Sequence, residues 1–309
     1  EHAIIEPIRK VREQAAAAQA ADEKKVPRES FITHPGSDFM ADVLKSIGLQ
    51  YDAITPAAGF RSLQESIINY SGNKNPEIIT CLHEETATHM AQGYAKAAGK
   101  PIGVMVHGTV GLQHASMALY NAWVDRVPLM MFAGNGIDAA TRRPGVETIH
   151  SAQDPAAMVR EFIKWDDQPG SLQHFAESTV RAYKIAMTAP MEPVMICLDM
   201  DLQEHGISNP EKLRIPKVTR LSQPQGDTAA LREAAKLLVA ADHPLIIADR
   251  AVRSAEGLKL MVELAEALGA PVIDNGWRTN FPNTHDLEVS FLRQTMLRDA
   301  DVILLLEVN

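Results

Sequence analysis

Apolar positions along this chain switch repeatedly between a helical and a strand period, and the switching is densest between residues 77 and 136. Ile78, Ile79 and Cys81 form a short apolar run that stops at His83 and Glu84. Ala87, Met90, Ala91, Tyr94, Ala95 and Ala98 then recur every 3.6 residues or so, which predicts a helix closed by Gly99, Lys100 and Pro101. A strand over 102–106 is followed at once by His107, Gly108 and Gly111. A second helix, 112–124, leads through Pro128 into a strand over 129–133. Two such βαβ units predict a parallel sheet with Glu84 and His107 together at its carboxyl edge, where open α/β sheets keep their ligand sites.

The same alternation extends both ways. Ser37 suits the N-cap of a helix whose Phe39, Met40, Val43, Leu44 and Ile47 share a face, and Gly48 its stop. A strand over 51–55 runs into Pro56-Ala57-Ala58-Gly59 and a helix carrying Leu63, Ile67 and Ile68. After an Arg142-Arg143-Pro144 loop come a helix from Asp154, a strand over 163–165, a helix over 172–187 and a strand over 194–198. Pro210, Pro216 and Pro224 mark residues 201–226 as a linker. Residues 227–309 repeat the α/β pattern, with helices over 228–240, 255–268 and 290–297 and strands over 245–248, 271–274 and 302–306. Three strands fall below the five or six or so of an average sheet, so this unit is expected to be incomplete. Residues 1–30 form an Ala- and charge-rich arm in which Ile4, Ile8, Val11 and Ala15 share a helical face, suited to packing on its own domain or to oligomerisation.

A length of 309 residues exceeds what one core fills, consistent with 31–200 and 227–309 as separate domains. Thirty Lys and Arg against 39 Asp and Glu give a net charge of −9, which argues against nucleic acid or an anionic membrane as partner. No apolar run is long enough to span a bilayer. The two cysteines, Cys81 and Cys197, fall in predicted strands as small hydrophobes, and no Cys/His cluster has zinc spacing. The expected location is the cytoplasm, or the periplasm if an export signal has been removed. No G-x-G-x-x-G follows a strand, which argues against a nicotinamide dehydrogenase.

His83-Glu84, His89-Met90-Ala91-Gln92-Gly93-Tyr94-Ala95, Gly99-Lys100-Pro101, Asn121-Ala122-Trp123 and Val127-Pro128-Leu129 occur in an order and spacing that resemble the pyrimidine-binding domain of thiamine diphosphate enzymes. The resemblance is strongest to the acetolactate synthase and benzoylformate decarboxylase group. The second unit resembles their middle domain at Gly269-Ala270-Pro271-Val272 and at Phe281-Pro282 with His285. The fold implied is α/β: a parallel-sheet, pyrimidine-type thiamine diphosphate-binding domain followed by an incomplete Rossmann-like middle domain. The activity implied is cleavage or ligation of a carbon-carbon bond at a 2-oxo acid or related 2-hydroxyacyl compound. The Gly-Asp-Gly to Asn signature that holds magnesium and diphosphate in the family is absent from these residues. Those ligands are therefore expected on a second polypeptide or second half, within a dimer or tetramer.

The resemblance also implies residue roles. Glu84 matches the glutamate that hydrogen-bonds the aminopyrimidine, although on its own it would be explained as an acid at a helix N-terminus, a place Glu85 could fill equally. Pro56 and Gly111 are expected in the cofactor cradle. His107 matches a histidine that handles protons in the decarboxylase branch, a task suited to an imidazole, while a loop-capping imidazole is the simpler alternative. Ala58, His114 and Gln153 are expected in the substrate pocket; Ala58 stands where the decarboxylase branch has a hydroxyl, and His114 where relatives often have Asn. His83 is a weaker candidate, and His89 is expected to pack on its helix face. Ala248-Asp249-Arg250 replaces the Gly-rich turn of flavin-binding relatives, so no FAD is expected. The competing reading is a non-catalytic structural or regulatory subunit that retains the fold.

Overall fold

The computed structural model describes Gln14 and residues 34–136, 152–219 and 225–308. Ile4, Ile8, Val11, Ala15 and the Arg142-Arg143-Pro144 loop lie outside them.

Strands β1 (Tyr51–Ile54), β2 (Glu77–Thr80), β3 (Gly103–His107), β4 (Met130–Asn135), β5 (Trp165–Asp167) and β6 (Val194–Asp199) alternate with helices α1 (Gly36–Ser46), α2 (Arg61–Glu65), α3 (Glu84–Ala98), α4 (Val110–Val124), α5 (Leu172–Met187) and α6 (Met200–Glu204). The strands form one six-stranded sheet in the order β2-β1-β3-β4-β6-β5, and every pairing is parallel. Helices cover both faces, so the inner strands alternate between two cores rather than between core and water. Met105, Met130 and Phe132 pack with Met40, Leu44, Phe60 and Phe175 on one face. Val104, Val106 and Met131 pack with Ala87, Ala91, Leu112 and Leu119 on the other.

The chain leaves β1 toward β2 on one side and β3 toward β4 on the other. The carboxyl ends of β1 and β3 therefore flank a topological switch point, the usual ligand crevice of such sheets. The turn after β1 is pinned there by backbone contact: a Cβ on Gly134 of β4 would overlap the carbonyl carbon of Gly59. Only glycine fits that approach.

Where pattern and structure differ, the reason is local. The helix expected from Asp154 is instead two short 3-10 turns, Pro155–Met158 and Arg160–Phe162. Asp154 does cap the first, accepting from the Ala157 N–H, but Ile163 is already extended, leaving no room for a longer helix. β5 lies two residues later than expected, set by pairing of Trp165 with Val194 at the sheet edge. The helix carrying Ile67 passes into a π turn over Ser66–Tyr70, which leaves Ile68 exposed. The helix expected over 290–297 begins as a 3-10 turn, Ser290–Leu292, because Ser290 bonds back to Asp274, and α-helix follows over Arg293–Asp299.

The second unit comprises α7 (Thr228–Ala240), β7 (Pro244–Ala248), α8 (Ala255–Leu268), β8 (Val272–Asp274), α9 (Arg293–Asp299) and β9 (Val302–Leu306). Its parallel sheet has three strands in the order β8-β7-β9. It meets the first unit beyond α4, where Arg278 donates to the Asp125 carbonyl at 3.1 Å and Lys96 to the Trp277 carbonyl at 3.1 Å. Among the described residues, no helix is long and apolar enough to cross a membrane.

Candidate active site

The site begins where β2 stops. Cys81 N–H extends the ladder to the Ile54 carbonyl at 2.7 Å, and His83 then adopts extended backbone with φ −153°. His83 Nδ1 accepts the Glu85 N–H at 3.2 Å, which is the side-chain capping that starts a helix. α3 therefore opens at Glu84, and its carboxylate stays at the sheet edge. Glu84 is 7 % exposed, whereas Glu85 is more open to solvent.

The other wall comes from β3 and α4. His107 is the last residue of β3, half-buried and in register with Gly134. Gly111 occupies the first turn of α4 between the acid and the base of the His107 side chain: a Cβ there would lie 3.0 Å from Glu84 Oε1 and 3.2 Å from His107 Cβ. The structure thus brings Glu84 and His107 to either side of Gly111 at the carboxyl edge of the sheet. One turn further, His114 Nδ1 lies 3.1 Å from Glu84 Oε2. The His114 ring stacks on His83 with centroids 4.8 Å apart and planes 25° apart.

Pro56 and Ala58 are exposed in the loop after β1, at the same edge, and Ala58 opens the short turn that carries the buried Gly59. Gln153 is half-buried in a segment tethered to β4 by Asn135 Nδ2, which donates to the Ala152 carbonyl at 3.3 Å. His89 does not pack as expected. It is exposed, because its side of α3 faces solvent, and it bonds Asn121 of α4 at 3.1 Å. Cys81 and Cys197 are both buried, and burial pushes the Cys81 thiol up.

Sequence pattern missed the cap made by His83 and its stack on His114. The available signal was a polar residue directly before two acids at a strand-to-helix junction. His83, Glu84 and His114 have ligand atoms within 4.8 Å of one another, a spacing that could suit a metal. Both Nδ1 atoms, however, are already engaged, one accepting from the Glu85 N–H and one bonded to Glu84. The chemistry favours a hydrogen-bonded network.

What the arrangement offers is a nearly buried carboxylate with one oxygen held by an imidazole and the other beside a bare glycine surface. A flat heterocycle can approach that surface and hydrogen-bond the free oxygen, with His107 in reach of whatever lies beyond it.

Residues 34–158 match the family model for the thiamine pyrophosphate enzyme, N-terminal TPP binding domain, and residues 231–307 match that for the central domain. The chain is 29% identical over 210 residues to benzoylformate decarboxylase of Pseudomonas aeruginosa, an alignment covering 67% of this chain and 39% of the relative. It is 26% identical over 280 residues to the acetolactate synthase large subunit of Lactococcus lactis, covering 87% of this chain and 47% of the relative. The chain thus spans less than half the length of either. The solved structure of benzoylformate decarboxylase from Polynucleobacter necessarius superposes with a TM-score of 0.73 at 23% identity, over 88% of this chain and 51% of that one. At that identity the likeness establishes the fold.

Proposed function

Because the chain belongs to the thiamine pyrophosphate enzyme family through its N-terminal TPP binding and central domains, we propose that it supplies the pyrimidine-side half of a thiamine diphosphate site. The reaction is cleavage or ligation of a carbon-carbon bond at a 2-oxo acid or related 2-hydroxyacyl compound. The observation that carries this reading is the Glu84 carboxylate, 7 % exposed and lying against Gly111. Side chain at position 111 would fill the place a flat ring needs, so the residues present fit the group.

Bound thiamine diphosphate supplies an electron sink once its C2 proton has left. Glu84 would hold the aminopyrimidine through a hydrogen bond to its ring nitrogen, a contact that would favour the basicity of the cofactor's own amino group. Pro56 and Gly111 would bound the ring. His107, at the end of β3, holds or releases a proton on the substrate side, as an imidazole can near neutral pH. Ala58 has no hydrogen-bonding side chain, so a substrate carboxylate must be held by other groups; His114 and Gln153 stand at the same edge.

Magnesium and the diphosphate are assigned to a second polypeptide or further segment, in a dimer or tetramer. The greater length of both curated relatives supports this assignment. No flavin is assigned to the central domain: after β7 the turn is filled by Asp249 and Arg250, each 3 % exposed and bonded to each other at 2.7 Å.

Glu84→Gln tests the reading. The variant should fold normally, since an acid at a helix N-terminus is worth about 0.3–1 kcal/mol. Hydrogen-deuterium exchange at C2 of bound thiamine diphosphate should slow by orders of magnitude, and equal exchange in variant and wild type would remove Glu84 from the mechanism.

A further inference from the structure

We propose that His114 is a positioning residue for Glu84: its ring holds one carboxylate oxygen, so that the other is left for the ring nitrogen of the cofactor. The proposal rests on the reading of Glu84 given above and adds a residue to it.

The two oxygens of Glu84 have different neighbours. Oε2 lies 3.1 Å from His114 Nδ1. Oε1 lies on the glycine side, 3.0 Å from where a Gly111 Cβ would be. A carboxylate only accepts hydrogen bonds, so the His114 hydrogen sits on Nδ1, and the bond selects that tautomer. The plane of the ring is held in turn by His83, stacked at 4.8 Å, and His83 is held by the Glu85 N–H at 3.2 Å. An orienting chain therefore runs from the backbone of α3 through two imidazoles and back to the first side chain of the same helix. A glutamate has three side-chain torsions to fix, and the His114 bond fixes the last of them by holding one carboxylate oxygen. Losing the Oε2 bond lets the carboxylate swing, and a misplacement of about 1 Å at a reacting group costs roughly 10²-fold in rate.

His114→Leu and His114→Asn separate positioning from packing. Leucine fills space without a donor, whereas asparagine places an N–H donor at the same δ position as Nδ1. On the complete assembly, which includes the polypeptide or segment that holds the diphosphate, loaded with thiamine diphosphate and magnesium, His114→Leu should slow C2 exchange by roughly 10²-fold, and His114→Asn should restore most of the rate. Both variants should melt within a few degrees of wild type. On the protein without cofactor, ring ¹⁵N shifts at a pH where the imidazoles are neutral should show His114 as the Nδ1–H tautomer, and Glu84→Ala should convert it to a mixture.

Wild-type exchange in His114→Leu beside slow exchange in Glu84→Gln overturns this inference and leaves the reading of Glu84 intact. Wild-type exchange in both removes the reading and the inference together. Slow exchange that asparagine fails to rescue, or an Nε2–H tautomer for His114 in the wild type, also overturns it. Should the leucine variant not fold, the asparagine variant and the tautomer measurement decide.

Discussion

Replacing Asp52 with valine should make this protein more stable. Asp52 is the second residue of β1, wholly buried, and paired with Ile78 of β2 and Gly103 of β3. Among the described residues neither of its carboxyl oxygens meets a hydrogen-bond partner. Gly103 makes the room it occupies, since a Cβ there would lie 2.7 Å from the Asp52 carboxyl carbon. Burial pushes the carboxyl well above the usual aspartate range. A buried polar group without a partner costs about 1–3 kcal/mol, and valine removes both oxygens while keeping a branched side chain suited to a strand. The gain should be of that size, or roughly 2–4 °C in melting temperature per kcal/mol for a domain of 150–250 residues or so. The pH dependence gives an independent sign. A carboxyl whose folded pKa is raised binds more protons in the native state than in the unfolded one, between the ordinary value near about 3.9 and the folded value. Wild-type stability should therefore fall as pH rises through that window, and Asp52→Val should lose this slope. Urea unfolding at a series of pH values measures both. A variant less stable than wild type, with the wild-type slope retained, would show that the carboxyl stabilises the fold and does not set the slope, and would refute the reasoning.

His107→Ala should lower turnover by roughly 10² to 10⁴ while thiamine diphosphate affinity stays near wild type; a variant that loses affinity but turns over normally at saturation would make His107 structural. Gly111→Ala should weaken cofactor binding in a titration, because its Cβ would crowd Glu84 Oε1 and His107 Cβ at 3.0 and 3.2 Å, yet leave the melting temperature near or above wild type, since alanine favours a helix over glycine by about 1 kcal/mol.

The strand and helix order was legible because both faces of the sheet are covered by helices with sustained apolar stripes. Helices over 172–187 and 228–240 were placed to the residue, and their starts show why: Ser171 accepts from the His174 N–H, and Asp227 from those of Ala229 and Ala230. Such caps are local and readable. The Gly59 to Gly134 contact, the buried Asp52 carboxyl and the bond from His114 to Glu84 are not, because each joins segments far apart in sequence, and a strand pattern does not reveal which strand becomes its neighbour. Aspartate inside β1 breaks the apolar pattern, but nothing in the neighbouring residues shows that strands on both sides bury it.

The choice between Glu84 and Glu85 shows where local reasoning ends and packing takes over. Both acids lie in the first turn of α3, so the helix N-terminus favours either by about 0.3–1 kcal/mol and cannot tell them apart. What separates them is α4. Gly111 and His114 are three residues apart and Asn121 seven further on, spacings that put all three on one face of a helix. That face is turned to α3, where Gly111 and His114 meet Glu84 and Asn121 meets His89. Rotating α4 by one residue would replace the bare glycine with a side chain and carry the imidazole away from the carboxylate. The environment of Glu84 is thus set by the phase of a helix that starts 26 residues later, and that phase is in turn fixed by the apolar stripe of Leu112, Ala115, Leu119 and Ala122 packing into the core. A residue inserted between Gly111 and Leu112, with this stripe still seated, would preserve the fold and displace the glycine. The geometry of the candidate site is therefore more sensitive to the spacing between Gly111 and that stripe than the stability of the protein is.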